Sequence, residues 1–348
     1  VPHAVRMSPL IGLPLSLLAG VAIPSQARVN GALGERLDDG LAAALVSFVV
    51  GLVVMVIISL ALPRGRAGAG QLIPSLRERR FPRYYVLAGM IGGYFVLSQT
   101  LTVAVLGVAV FTVAAVAGQT LTGLVVDRLG IGPAGKKALT MMRVVGAVLT
   151  IAAVAWAVSP KLSGGSEPSE WLLPVLLPLT AGMLMSFQQA MNGTTGMHYG
   201  TPITATLVNF IAGTVLLAVM WGIKVAVSGA GNPLPGEWWL YLGGPLGCIF
   251  IGVGALLVRS LGVLLTSLGL IGGQLIGSLL LDIVFPAPGS VVVAATVLGT
   301  LLTLLAIVLA TLPWNMPGGG PFRRRRTGTT GAGNVPSRNR NAAPKPPR

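Results

Sequence analysis

The sequence predicts an all-α polytopic membrane protein, with ten transmembrane helices arranged as a 5+5 inverted repeat. Three observations predict it. Of 348 residues, 53% are hydrophobic and only 9% charged, with mean hydropathy +0.81, whereas a soluble domain carries about 25% charged residues. Apolar stretches of about 20 residues, the length that crosses a bilayer core of about 30 Å, follow one another along the chain. The first half of the chain recurs in the second. One cysteine (Cys248) and two histidines (His3 and His198) offer no material for a disulfide framework, zinc or haem, so no metal and no cofactor is expected.

The ten spans fall near residues 9–33, 41–62, 84–106, 107–129, 140–158, 172–198, 201–228, 238–259, 263–285 and 290–312. The joins at Leu106/Gly107 and Gly262/Val263 are so tight that each pair must form a helical hairpin. Arg6 ahead of the first apolar stretch resembles a signal peptide. No small-residue cleavage site follows it, however, and the stretch has a partner later in the chain, so it is read as a span. The organisation is then a cytoplasmic N-terminus (1–8), a first repeat (9–158), an outer linker (159–171), a second repeat (172–312) and a basic tail (313–348).

Lys and Arg concentrate on the cytoplasmic side of membrane proteins. With the N-terminus inside, inner segments hold 20 of the 24 basic residues, and the outer connections hold only Arg28, Arg36, Lys161 and Lys224. Both termini are therefore expected in the cytoplasm. After Leu312 the composition shifts to Pro, Gly, Asn, Thr and Arg, including Arg323 to Arg326 and no acidic residue, which predicts a disordered tail. That tail either anchors the last helix by its charge or adheres to anionic lipid head groups, at about 1 kcal/mol per basic residue near the surface.

A shift of 162 lays Ser25–Gln26–Ala27–Arg28–Val29–Asn30–Gly31 over Phe187–Gln188–Gln189–Ala190–Met191–Asn192–Gly193, and pairs Phe48 with Phe210 and Gly51 with Gly213. A shift of 155 pairs Gly92 with Gly247, Gly118–Gln119 with Gly273–Gln274, and Asp127 with Asp282. Because each copy holds five spans, an odd number, the second copy enters the membrane from the opposite side. Inverted repeats of this kind recur in secondary transporters, where exchanging the conformations of the halves exposes a central site to each side in turn. Duplication also yields inert scaffolds and channels.

The pattern Pro24-x-Gln26-x-x-x-Asn30-Gly31-x-Leu33-Gly34, then Ala42 to Phe48 and Gly51, resembles the YdcZ-like branch of the drug/metabolite transporter superfamily. Its second-half echo is Gln188 to Gly193 and Thr206 to Gly213. The resemblance covers residues 9 to about 312. It implies a ten-helix inverted-repeat fold in the bacterial inner (plasma) membrane and export of small molecules. The small multidrug exporters of that superfamily use a glutamate in the first helix, where this chain carries Gln26. A neutral amide cannot exchange a proton for a cation, so neutral or zwitterionic metabolites are favoured over lipophilic cations.

Polar side chains inside spans are costly and usually face protein or water. Gln26 and Asn30 share one helical face at four-residue spacing, as do Gln188 and Asn192. Gln119 and Gln274 fall near mid-span, the depth at which transporter sites lie. With Gln99 and Asn209 they form the candidate substrate-binding set, the paired amides also readable as interhelical hydrogen-bonding groups. Gln99 is matched by Gly254, and Asn209 by Ser47. Those mismatches break the symmetry, as an asymmetric substrate requires.

Asp127 and Asp282 are the carboxylates assigned to spans. They are read either as coupling or gating groups paired with Arg128, Arg143 or Arg259, with a proton as coupling ion, or as interfacial acids fixing helix contacts. Small residues recur at Ala114, Gly118 and Thr122 and at Gly269, Gly273 and Gly277, a spacing that allows close helix approach.

Gly130 to Lys137 only grazes the phosphate-binding loop pattern, with Lys137 where Ser or Thr is needed. No carboxylate pair, histidine cluster or Ser/His pairing for a membrane enzyme assembles, so the chain is not read as an enzyme. The expected function is secondary-active export of small metabolites or drugs by alternating access. The alternative is a non-transporting scaffold or sensor subunit. The expected partners are the lipid bilayer and a small-molecule substrate, with no nucleic acid.

Overall fold

The computed structural model describes residues 9–133, 135–136, 139–163, 168–261, 263–286 and 293–311. The tail and residues 1–8 lie outside the described residues. Among the described residues no strand occurs. The chain runs through α1 (Pro9–Gly20), α2 (Ala22–Leu37), α3 (Gly40–Ala61), α4 (Pro63–Gly70), α5 (Leu72–Arg77), α6 (Ala88–Leu129), α7 (Met141–Ser163), α8 (Pro168–Tyr199), α9 (Pro202–Ser228), α10 (Gly243–Leu261), α11 (Val263–Val284) and α12 (Ala294–Thr311). Short 3-10 turns, Arg83–Leu87 and Trp238–Tyr241, precede α6 and α10.

Seven stretches among the described residues are long and apolar enough to cross a membrane, and α10 and α12 contribute two shorter apolar segments. The stretch covering α6, Arg83–Leu129, is 47 residues long. That is far more than one crossing needs, and Gly107 interrupts it with φ 80° and ψ 165°. Only glycine adopts that conformation without strain. Phe95 and Phe111 meet edge on at 5.7 Å between ring centroids, although 16 residues of straight helix would separate them by about 24 Å. The chain therefore folds back at Gly107.

The fold-back exposes the first N–H groups of the returning helix, which lipid cannot satisfy. The buried Asp282 carboxylate, near the end of α11, accepts from Val108 N at 2.9 Å and Ala109 N at 2.7 Å. Asp127, its counterpart in the repeat, is ion-paired to Arg143 of α7. The first apolar stretch is also subdivided, since α1 ends at Gly20 and α2 starts at Ala22. Pro24 contributes to that break because it offers no N–H to the preceding turn.

Every residue of α6 from Leu106 to Gly118 is buried. Helices in lipid gain little from hydrophobic association, so close backbone approach through small residues sets the packing. These approaches come in pairs. A methyl group at Gly118 would overlap the Leu179 carbonyl oxygen of α8, and one at Gly273 the Leu17 carbonyl oxygen of α1. Gly51 rests against the Phe210 ring, and Gly213 against the Phe48 ring. Between α7 and α12, Gly146 abuts Ala306 and Ala310 while Gly299 abuts Ala153 and Ala157.

Candidate functional site

A cavity of about 470 Å³ lies at the centre of the bundle, walled by α2, α3, α6, α8, α9, α10 and α11. Gln26, Gln119, Gln188, Asn192, Asn209 and Gln274 all line it, as does Gln189. None of its lining residues is charged. Glycines on neighbouring helices leave room for these amides. A methyl at Gly92 would come within 3.0 Å of the Gln188 amide, and one at Gly247 within 3.1 Å of the Gln26 amide. Either methyl would crowd the amide it faces. Phe48 and Phe210, 5.2 Å apart between centroids, add an aromatic surface where α3 and α9 cross.

Gln188 is buried, and its Oε1 has no hydrogen-bonding partner among the described residues; the Ser47 hydroxyl of α3 is in the same condition. Buried polar atoms are normally satisfied.

Asn30 and Gln99 stand outside the cavity lining. Both are completely buried, and Asn30 Nδ2 donates to Gln99 Oε1 at 2.7 Å. The same part of α2 is pressed onto α6, with Gly31 against Val103 and Gly34 against the Thr100 carbonyl. The cavity instead extends toward the opposite end of the bundle, where α8 passes into α9, reaching Asn192, Gly193 and Pro202. In the repeat these correspond to Asn30, Gly31 and Gly40. Asp127 and Asp282 do not line the cavity either.

At the α2–α3 corner Asp39 starts α3, accepting from Ala42 N at 3.0 Å, Trp221 Nε1 at 3.2 Å and Lys224 Nζ at 2.9 Å. Burial pushes its pKa up, but the Ala42 N–H, the Lys224 ammonium and the Trp221 indole outweigh it and hold the carboxyl below its ordinary value. The segment after α9 covers the same corner, with Asn232 N donating to Leu37 O at 2.7 Å.

A second cavity, of about 630 Å³, lies between the end of α3, the start of α9 and the middle of α10. Hydropathy reasoning had no signal for it, because its walls are the same Ile, Leu and Met residues that fill any helix interface. Among the described residues no group of three or more His, Cys, Asp or Glu that could hold a metal is found.

No curated protein is a significant match. Five chains of known structure match significantly. One of them, described as "Crystal structure of protein", is similar at TM-score 0.53 and 18% identity, over 88% of this chain and 98% of its own, a likeness of fold. The sequence matches the family described as "Putative inner membrane exporter, YdcZ" over residues 11–156 and 173–309, and the chain belongs to that family.

Proposed function

We propose that this chain is a secondary-active exporter that moves small uncharged or zwitterionic metabolites by alternating access through the central amide-lined cavity. The observation that carries the reading is the cavity itself, a charge-free chamber walled by matched amides, Gln26 with Gln188 and Gln119 with Gln274, and extending toward one end only. A neutral hydrogen-bonding chamber suits a ligand that carries no net charge, since an ion would lose its hydration there without a counter-charge.

Membership of an exporter family supports the transport role. The ten-span count is supported by taking the Gly107 fold-back as a boundary and adding α10 and α12 to the long stretches. The 5+5 repeat is supported by the reciprocal contacts, such as Gly51 on Phe210 with Gly213 on Phe48. In this reading both termini and the Arg-rich connection 62–83 are cytoplasmic, so the present conformation faces inward. The outward-facing one exchanges the packing of the two ends. Asp127 and Asp282 act as helix-fixing acids, given their partners Arg143 and the Val108 and Ala109 amides.

The test is solute flux into proteoliposomes across a library of uncharged and zwitterionic metabolites. Gln188→Ala and Gln274→Ala are expected to lower flux of the transported solute at least tenfold with the folded fraction unchanged. Undiminished flux in both would discard the cavity as the site.

A further inference from the structure

The side cavity of about 630 Å³ lies between α3, α9 and α10. Met55, Ile58, Ile203, Ile249 and Ile251 make its walls apolar, and Arg64 is the one charged residue in its lining. Ile249 is exposed beside the cavity, as are Ile57 and Leu60 of α3. Such a flank belongs against lipid acyl chains. Arg64, just past the end of α3, marks the head-group level.

Two further observations set this cavity apart from a packing defect. Pro202, Thr206 and Ile251 line both it and the central chamber, so the two are separated by a single layer of side chains. The equivalent place in the other half is shut. The shift of 155 pairs Cys248 with Gly93, and a methyl at Gly93 would lie 3.4 Å from Leu217 and 3.5 Å from Gly213. One interface of the pair is closed and the other is open, as two states of the same joint would be.

Resting on the transport reading above, we propose that the side cavity is a lateral passage and tail pocket through which an uncharged single-chain amphiphile is drawn from the leaflet on the Arg64 side. Its tail occupies the apolar cavity while its hydrogen-bonding head reaches the amides beyond Thr206 and Ile251. The volume is within the range of about 300–1,000 Å³ typical of ligand pockets. A wholly polar solute gains nothing from an apolar chamber of this size, whereas a lipid-partitioned one keeps its tail out of water along the whole route.

The probe is a monoacylglycerol carrying a photoreactive diazirine in its acyl chain, applied to the full-length protein in proteoliposomes and read both as cross-linked peptides and as transbilayer flux. Gly252 borders the cavity, and a methyl there would meet nothing within 4 Å, so Gly252→Trp fills the cavity and Gly252→Leu fills part of it. Saturable labelling of α3 and α10 is expected, with labelling and probe flux reduced at least tenfold by Gly252→Trp and less by Gly252→Leu. Ile223→Trp, on the exposed face of α9, serves as a control that leaves both unchanged. Labelling that is absent, or insensitive to both Gly252 variants, while water-soluble metabolites still cross, overturns the lateral route and leaves transport intact. Saturable labelling with no flux of the probe or of any other solute overturns the transport reading and makes the cavity a fixed lipid seat.

Discussion

The α2–α3 corner and the α8–α9 corner are built from the same motif, yet one is shut and the other is hollow. At the first, Asn30 is bonded to Gln99 and Gly31 is packed on Val103. At the second, Asn192 and Gly193 line the cavity, and the position matching Gln99 is Gly254. The partner across the interface, more than the repeated motif, decides which corner is latched. In the proposed alternating-access cycle, halves that matched at every position would have no preference between the two exchanged states, and the Gln99/Gly254 mismatch would supply a bias.

The comparison can be broken most severely at its backing. Asp282 holds the start of the returning half of α6, and the fold-back at Gly107 keeps Val103 against Gly31. Asp282→Ala leaves two buried N–H groups without a partner, at about 1–3 kcal/mol each. A thermal melt in detergent should therefore show a loss of about 2–6 kcal/mol, and an unshifted melt would remove Asp282 from the account of the closed corner.

Next in size is Asp39→Ala, which removes a helix cap worth about 1 kcal/mol together with the ties to Lys224 and Trp221. The folded-state pKa of Asp39 lies below its usual 3.8. Its contribution is therefore complete above that pH and is lost as the pH falls through the lower folded value. Between pH 5 and pH 8 the difference between wild type and Asp39→Ala should stay constant. A difference that shrinks within that window would contradict the assignment.

The latch itself is a smaller term, since interhelical hydrogen bonds in membranes average about 0.6 kcal/mol with a maximum near 1.7. Removing both amides, Asn30→Ala with Gln99→Ala, should therefore shift the balance of the two states by about three- to twentyfold. A thiol placed by Ala32→Cys in a Cys248→Ala background should gain maleimide reactivity by that factor. Gly254→Gln should sharpen the comparison in the opposite sense by giving Asn192 a partner. A methyl at 254 stands 3.3 Å from the tip of Leu270, an approach that a flexible side chain can accommodate. The expected gain in closure at the α8–α9 corner is about threefold, read as lower reactivity of Gly193→Cys.

Much of the fold was legible because hydropathy and length are strong signals in a bilayer. The spans expected at 41–62 and 201–228 appear as α3 (Gly40–Ala61) and α9 (Pro202–Ser228), and the tight join at Leu106/Gly107 is a fold-back. The short helices α4 and α5 carry no apolar signal, since five of the eight residues of Pro63–Gly70 are glycine or arginine. For the site, the repeat matched Gln26 with Gln188, and Gln119 with Gln274 at mid-span, and these four line one chamber, whereas Asn30, on the helical face of Gln26, does not. The Asn30–Gln99 bond joins residues 69 apart in the chain, and no spacing rule links such residues. Because an amide facing a ligand and one facing another amide leave the same trace in a sequence, that partnership became visible only with the fold.

The most direct test of alternating access is to measure spin-label distances across both corners in the same reconstituted protein. The account predicts anticorrelated changes: Gly254→Gln narrows the α8–α9 corner while widening the α2–α3 corner, and the Asn30→Ala, Gln99→Ala pair changes both in the same two directions. Corners that widen or narrow together, or that ignore both variants, would contradict it.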